Sequence, residues 1–480
     1  MKRRILKLFI FNTVLLVSGS LFAQDYNDAF RVSELGLGSN ARALGMGNAY
    51  TAVSDDFSAA SYNPAGFGLL KRMEFAGGIN YSNYKNNAEF FGQKTDYSNS
   101  QTKLDQFSFA FPFPVIRGSL VVAVGYSRDK DFNNALSFNG FNPGNSSMIQ
   151  ALSGKNDASY YLYLTDANGN TPISGQLQQS GTVLSSGGIG KWSFSGATEV
   201  SRNVFVGGSL NIYNGDFKRT REYYEDDVKQ VYGNSVLTDP DKATTADFRT
   251  FYLNDIIDWD ITGWDAKIGL LYQAGRYARF GASIKFPTSY TIKEKYTETG
   301  RSEFGTGASY TIDPVIEDNV EYDITTPFIF TGGGSVNYHG LVASVDLSFI
   351  DYTQMEYDNS DSDGGLAAEK IAKNNRDIKE LFSGVMNFNA GLEYRIPETD
   401  LRVRGGFILN PSPFKDDPSD FDKKYITTGI GFLANEAFAF DVAYAHGWWK
   451  DLGDNYSSGV SRTYQDISYN NLIFTVSYRF

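Results

Sequence analysis

After residue 70 the chain repeats one pattern: stretches of about ten residues in which apolar and polar side chains alternate. In the last stretch Leu472, Phe474, Val476, Tyr478 and Phe480 share one face, and Ile473, Thr475, Ser477 and Arg479 share the other. Successive side chains of a strand point to opposite sides, so such a strand has one apolar and one small or polar face. Phe438, Phe440, Val442 and Tyr444 alternate in the same way with Ala439, Asp441, Ala443 and Ala445. So do Leu120, Val122, Val124 and Tyr126, and Leu341, Ala343, Val345, Leu347 and Phe349. Fourteen strands are predicted, near 73–83, 103–113, 118–129, 190–201, 203–216, 249–273, 277–298, 319–337, 340–356, 382–396, 400–410, 424–434, 437–449 and 470–480. Their even-numbered connections are short and the odd ones mostly long. A soluble sandwich shares the alternation but not this asymmetry of loops. The expected fold is therefore all-β, a 14-stranded antiparallel transmembrane β-barrel over residues 71–480, with tight turns at one rim and long loops at the other.

Composition fits this reading. The mean hydropathy is −0.32, and after residue 23 no apolar run approaches the ~20 residues of a spanning helix. A barrel needs no such run, because half of each strand faces its interior. The 31 Tyr, 37 Phe and 48 Gly suit interfacial girdles, turns and strand kinks. Residues 1–23 read as a secretory signal: Lys2, Arg3, Arg4 and Lys7 precede a mostly apolar run, and Ala23 is small. Leu21 is large for the −3 position, so the cut is not fixed by the sequence. Loss of those four cations takes the formal charge from −12 to near −16, which argues against nucleic acid as a partner. With no Cys, the exported chain is held by hydrogen bonding and packing alone.

Residues 24–70 do not read as strands. They are rich in Gly, Ala and Ser, yet hold Leu35, Leu37, Leu44, Met46, Tyr50 and Val53 to bury. Fourteen strands enclose a lumen wider than side chains alone can fill, so this segment is expected to occupy it as a hatch. Ala41-Arg42-Ala43-Leu44-Gly45-Met46-Gly47-Asn48-Ala49-Tyr50, then Asp55-Asp56, then Asn63-Pro64-Ala65-Gly66, resembles the hatch of the FadL-type long-chain fatty acid transporters. Tyr444-Ala445-His446-Gly447 and the closing Tyr478-Arg479-Phe480 are similar to the last two strands of that family. The resemblance implies an outer-membrane barrel of a Gram-negative bacterium, surrounded by lipid and lipopolysaccharide. It also implies passive uptake of a hydrophobic small molecule, which is caught by outer loops, held in a lumen pocket near the hatch and released sideways. Asn63, Pro64, Ala65, Gly66, Asp55 and Asp56 are the hatch and pathway residues on this reading. Phe205 and Tyr213 are expected to face the lumen from alternation alone. The family's cations for a fatty carboxylate have no match that the sequence identifies, and the cargo stays open among fatty acid, hydrocarbon and haem-like ring.

Catalytic chemistry is not expected. The only two His, His339 and His446, fall at opposite ends of the strand map, which excludes a His-based dyad. Gly190-Lys191 is followed by Trp192 and is not a phosphate loop. Asp358 to Gly365 fits part of a calcium loop, but its twelfth position is Lys370, and a solvated acidic turn is the favoured reading. Neither metal nor cofactor is called for. Leu366 to Phe382 reads as a helix. Phe251 to Trp259 reads either as the cover of a binding site or, the favoured choice, as a lipid-facing strand end. Two other functions suit the same fold: a partner-binding shuttle of a secretion or surface-attachment system, and a diffusion porin with residues 24–70 outside the lumen.

Overall fold

A strand set in lipid has no water to satisfy its backbone, so each edge must find a neighbour. The computed structural model, which describes residues 24–153, 158–359, 364–435, 437–456 and 459–480, meets this condition by closing the sheet. The expected signal segment, positions 360–363 of the acidic run and Glu436 of one expected turn lie outside the described residues. Among the described residues there are nineteen strand segments. They are β1 (Glu74–Phe90), β2 (Gln93–Phe113), β3 (Leu120–Asp131), β4 (Asn134–Phe141), β5 (Gln178–Ser201), β6 (Val204–Asp226), β7 (Phe248–Ala274), β8 (Ala278–Lys285), β9 (Ser289–Phe304) and β10 (Ser309–Thr311). There follow β11 (Ile316–Thr325), β12 (Ile329–Tyr338), β13 (Leu341–Asp351), β14 (Glu356–Asp358), β15 (Gly384–Arg395), β16 (Leu401–Asn410), β17 (Lys423–Ala434), β18 (Phe438–Asp454) and β19 (Arg462–Arg479). Interrupted strands run end to end as β3/β4, β8/β9, β10/β11/β12 and β13/β14, which leaves fourteen staves. Each stave pairs antiparallel with its chain neighbours, and β19 returns to β1 from Glu74↔Arg479 to Phe90↔Thr463. Met73 and Phe480 exchange backbone hydrogen bonds at 3.1 Å and seal the ring.

The side chains sort as the alternation requires. Phe440, Val442, Leu472, Phe474, Val345 and Leu347 are exposed on the outside, where lipid takes them. Ala443, Ala445, Ile473, Thr475, Ser344 and Asp346 face inward and are buried. At the short-turn rim Phe438, Tyr478, Phe480, Phe75 and Phe109 form a continuous aromatic belt with ring centroids 4.4 to 6.0 Å apart. Such belts sit at the headgroup level.

Residues 24–70 are ringed by this wall. The helix α1 (Tyr26–Ser33) starts under the long loops, where Asn374 Nδ2 donates to the Gln24 carbonyl and Tyr357 OH to that of Asp25. The chain then descends. Helix α2 (Ala41–Gly45) is capped by Asn40, whose side chain accepts from Arg42 N and Ala43 N, and it packs on β16 to β19. Lower still, Tyr50 N and Thr51 N both donate to Asp346 of β13 at 2.8 Å. The 3₁₀ turns Phe57–Ala60 and Pro64–Leu69 lead to β1, the second packing on β3, β5, β6 and β7. Backbone can approach a sheet this closely only where the wall lacks side chains. A methyl group at Gly269 would overlap Asn63 Oδ1, and one at Gly207 would meet the Pro64 carbonyl group.

Two expectations are corrected. The first connection is not a long loop: β1 and β2 continue past the apolar band and turn at Phe91-Gly92. Above the lipid the outer face of β1 turns polar, with Lys85, Asn87 and Glu89, so pairing persists after the apolar outer face ends. Phe251, Leu253, Ile257 and Trp259 are not lipid-facing but point inward, fully buried, beneath the outer loops. The helix expected near 366–382 is present as α5 (Ala368–Leu381), after two short helices, α3 (Met148–Leu152) and α4 (Ala158–Tyr161), in the third connection.

Gly269→Ala is expected to cost about 1–3 kcal/mol through overpacking of Asn63. It should lower the thermal midpoint of the detergent-solubilised barrel followed by heat-modified gel mobility. Gly332→Ala, at a position with nothing within 4 Å, should leave it unchanged.

Candidate functional site

At the level of α1 the charged end of β3 faces an aromatic group drawn from α1, the wall and the outer loops, so the space between them is two-sided. A cavity of about 600 Å³ lies there. On one flank Phe30 packs edge-on to Tyr352 at 5.5 Å and to Phe414 at 5.7 Å, with Phe132, Phe217 and Phe421 beside them. On the other stand Asn80, Asp105 and the charged end of β3, Arg128-Asp129-Lys130-Asp131. Residues 34–38 cross its floor, and beneath them a smaller cavity of about 150 Å³ is lined by Tyr62, Lys191, Tyr213, Lys267, Lys285 and Asp346. The crossing segment is tied to the wall where Lys130 Nζ donates to the Val32 carbonyl at 2.6 Å. Lys423 pairs with Glu34.

Beside the larger cavity the wall changes character. The β2–β3 ladder runs from Phe113↔Leu120 up to Gln106↔Ser127 and stops there, while β2 continues to Gln93 paired with β1. β3 has a register shift against β5 between Arg128 and Lys130, and the stave breaks at Phe132-Asn133 before β4. Above Gln106 side chains replace the ladder among the described residues. Lys103 Nζ donates to the Gly187 carbonyl at 2.6 Å and pairs with Asp131 at 3.1 Å. Asn99 Nδ2 donates to the Ser185 carbonyl at 3.0 Å. Asp105, the extra residue of a β2 bulge, is 1% exposed and lines the cavity with neither carboxylate oxygen hydrogen-bonded. A wall joined by a few side chains parts more easily than one joined by a backbone ladder.

Lower down, a chain of alternating charges holds the segment to the wall. Arg404 Nε meets Glu393 Oε2 at 2.7 Å and its Nη1 meets Asp441 Oδ1 at 2.6 Å. Arg42 shares the same Glu393 oxygen at 2.9 Å and pairs with Asp55 at 2.5 Å. Arg279 reaches Asp55 at 3.3 Å. Burial pushes the Asp55 carboxyl up, but Arg42, Arg279 and Arg479 outweigh it and hold the group below the usual carboxylate range. Asp56 caps the turn Phe57–Ala60, accepting from Ser58 N at 2.9 Å and from Tyr50 OH at 2.7 Å.

The residues chosen from sequence are thus divided. Tyr213 faces inward, lines the smaller cavity and donates to Asp265 Oδ2 at 2.7 Å. Phe205 also faces inward but is covered by Ala65 and Leu271. Asn63, Pro64, Ala65 and Gly66 are buried and touch wall, not cavity: Asn63 Nδ2 donates to the Thr51 and Leu270 carbonyls at 3.0 and 2.9 Å, and its Oδ1 accepts from Ala65 N at 3.1 Å. Asp55 lines a separate chamber near the short turns, and Asp56 a small one beside it. Lys103, Asp105, Arg128 and the aromatic flank escaped the sequence reading. The signal for them was the charged run 128–131, which closes an otherwise apolar strand. His339 sits in a short turn and His446 is exposed on β18 beside Asn470. Among the described residues no cluster of His, Cys, Asp or Glu has the form of a metal site.

No protein-family model matches the chain, and no curated protein matches its sequence. Solved structures do match in three dimensions. The toluene transporter TodX of P. putida aligns at 13% identity over 93% of this chain and 99% of its own, with a TM-score of 0.54. The Ralstonia pickettii toluene transporter TbuX aligns at 17% identity over 92% and 98%, with a TM-score of 0.51. A Pseudomonas aeruginosa FadL homologue aligns at 10% over 93% and 99%, with a TM-score of 0.53.

Removing Arg404 would leave Glu393 and Asp441 short of a buried partner. Arg404→Ala is expected to cost about 3–5 kcal/mol, seen as a lower thermal midpoint and faster proteolysis within residues 24–70. Lys94→Ala, which breaks an exposed pair with Glu89, should change neither. Across the whole length of the wall, the chain has the fold of FadL-type barrels.

Proposed function

We propose that this chain is a passive outer-membrane transporter of hydrophobic molecules, of the class of long-chain fatty acids or hydrocarbons. The observation that carries the reading is the two-sided cavity lying directly against the ladder-free stretch of wall between β2 and β3. Cargo caught among the outer loops reaches the aromatic flank of Phe30, Tyr352 and Phe414, where binding comes from burial at roughly 25 cal/mol per Å² of apolar area before losses. It leaves sideways, past Lys103 and Asp131, into the lipid. No energy source is needed for downhill flow. Residues 24–70 act as the hatch, seated by Asn63 and the arginine–carboxylate chain. An open diffusion pore is disfavoured, since this segment is buried against staves all around the wall. The protein stands in lipid with its long loops toward lipopolysaccharide. The names of the structures it is like, two toluene transporters and a FadL homologue, agree with an apolar cargo.

The test uses the absence of native Cys. A double variant, Asn99→Cys with Ser185→Cys, joined by a reducible bifunctional maleimide, should stop uptake of labelled oleate and of toluene into cells and regain it on reduction. Uptake at the wild-type rate in the bridged form would refute lateral release. Asn63→Ala should slow uptake while the barrel still folds, by loosening the hatch; unchanged uptake would remove Asn63 from the mechanism.

A further inference from the structure

The short-turn end of the lumen holds a second chamber, of about 410 Å³, well away from the cavity just assigned to cargo. Arg42, Arg276, Arg279, Arg395, Arg402 and Arg479 line it, against only two carboxylates, Asp55 and Glu393. These arginines come from the N-terminal segment, from the turn after β7, from β8, from the end of β15, from β16 and from the end of β19. The surplus is real after pairing is counted. Asp55 is shared by Arg42 and Arg279, Glu393 by Arg42, Arg402 and Arg404, and Arg479 turns to Glu74. Arg276 and Arg395 meet no carboxylate within ion-pair distance among the described residues, and both are exposed to the chamber mouth. In a chain where acids outnumber bases 55 to 43, such a concentration of cations in one recess runs against the overall charge.

Like charges gathered between low-dielectric walls repel one another and focus a positive potential into the space they enclose. An anion in that space relieves the repulsion, and guanidinium forks match the two oxygens of a carboxylate or phosphate. We propose that this chamber is an oxyanion-binding site, taking a carboxylate or phosphate group at the periplasmic mouth. Arg276 and Arg395 supply the uncommitted donors, while Arg42, Arg279 and Arg402 supply the field and remain tied to the wall. Val53, Val342 and Tyr277 also line the chamber, so the anion has room to carry an apolar tail. The site is separate from the two-sided cavity, and its existence does not depend on the transport reading.

The experiment is calorimetric titration of the barrel in a neutral detergent with four probes: inorganic phosphate, octanoate, dihexanoyl phosphatidate and octanol. At least one anion should bind, more weakly as salt rises, while octanol gives no matching signal. Arg276→Ala with Arg395→Ala should weaken that binding at least about tenfold, the loss expected for two charge-assisted hydrogen bonds. The corresponding double Lys variant should retain part of it. Because both positions are exposed on the rim, heat-modified gel mobility should show an intact barrel. Preference for octanoate assigns the site to a fatty carboxylate, preference for phosphatidate to a lipid headgroup, and equal binding of inorganic phosphate to a free anion. Absence of binding by all three anions, or wild-type affinity in the double Ala variant, would overturn the proposal. Uptake of labelled oleate measured on the same variants keeps this outcome apart from the fate of the transport reading.

Discussion

Everything in this molecule follows from the cost of an unpaired backbone group in lipid, several kcal/mol for each. That cost forces β19 back onto β1 and turns fourteen staves into a ring. A ring of that size encloses more room than inward side chains can occupy. The interior is then polar and small-sided, and the 47 residues from 24 to 70 supply what the wall cannot. The close seating of Asn63 and Pro64 over glycines of β6 and β7 is the local form of this constraint. Smaller wall residues let a second layer of backbone lie within hydrogen-bonding reach of the first.

The same constraint explains what could be read from the sequence. Lipid on one side and a polar lumen on the other impress a period of two on each strand, and every one of the fourteen predicted strands is found. Where lipid ends, the impression ends. The upper halves of β1 and β2 carry Lys85, Asn87, Glu89 and Lys94 on the face that lower down carries Phe75 and Ile79, so a polar hairpin passed for a loop. Phe251, Leu253, Ile257 and Trp259 mislead in the opposite sense. Their alternation is genuine, but above the band the apolar face is the inner one, because outer loops and α1 cover it while water bathes the outside. The side to which an apolar face points depends on height in the membrane, a quantity absent from local pattern.

The site was less legible for a related reason. Asn63 to Gly66 were visible as a motif, and their part in the structure is to fasten the segment to the wall. The cavity itself is assembled from α1, β1, β3 and the loop before β17, which are distant in sequence and meet only after closure. The stretch between β2 and β3 is defined by hydrogen bonds that are not made, and no residue type announces that. The charged run at the end of β3 was its one trace, since charge in a lipid-facing strand is expensive unless it faces inward or stands above the band.

The distribution of charge along the lumen divides it into levels of different character. Near the middle, cations and carboxylates of the wall answer one another: Lys191 with Asp129, Lys285 with Asp265, Lys103 and Arg128 with Asp131. A neutral apolar molecule moving straight down would have to displace water from these pairs, and desolvating charge costs more than burying the molecule returns. The aromatic flank of the upper cavity offers burial without that cost, and the ladder-free stretch lies at the same level. The lower chamber presents the opposite surface, an excess of arginine that an oxyanion would relieve and a hydrocarbon would not. Within one barrel the two spaces thus present different chemistry, aromatic surface above and a surplus of arginine below, with the charged pairs of the wall between them.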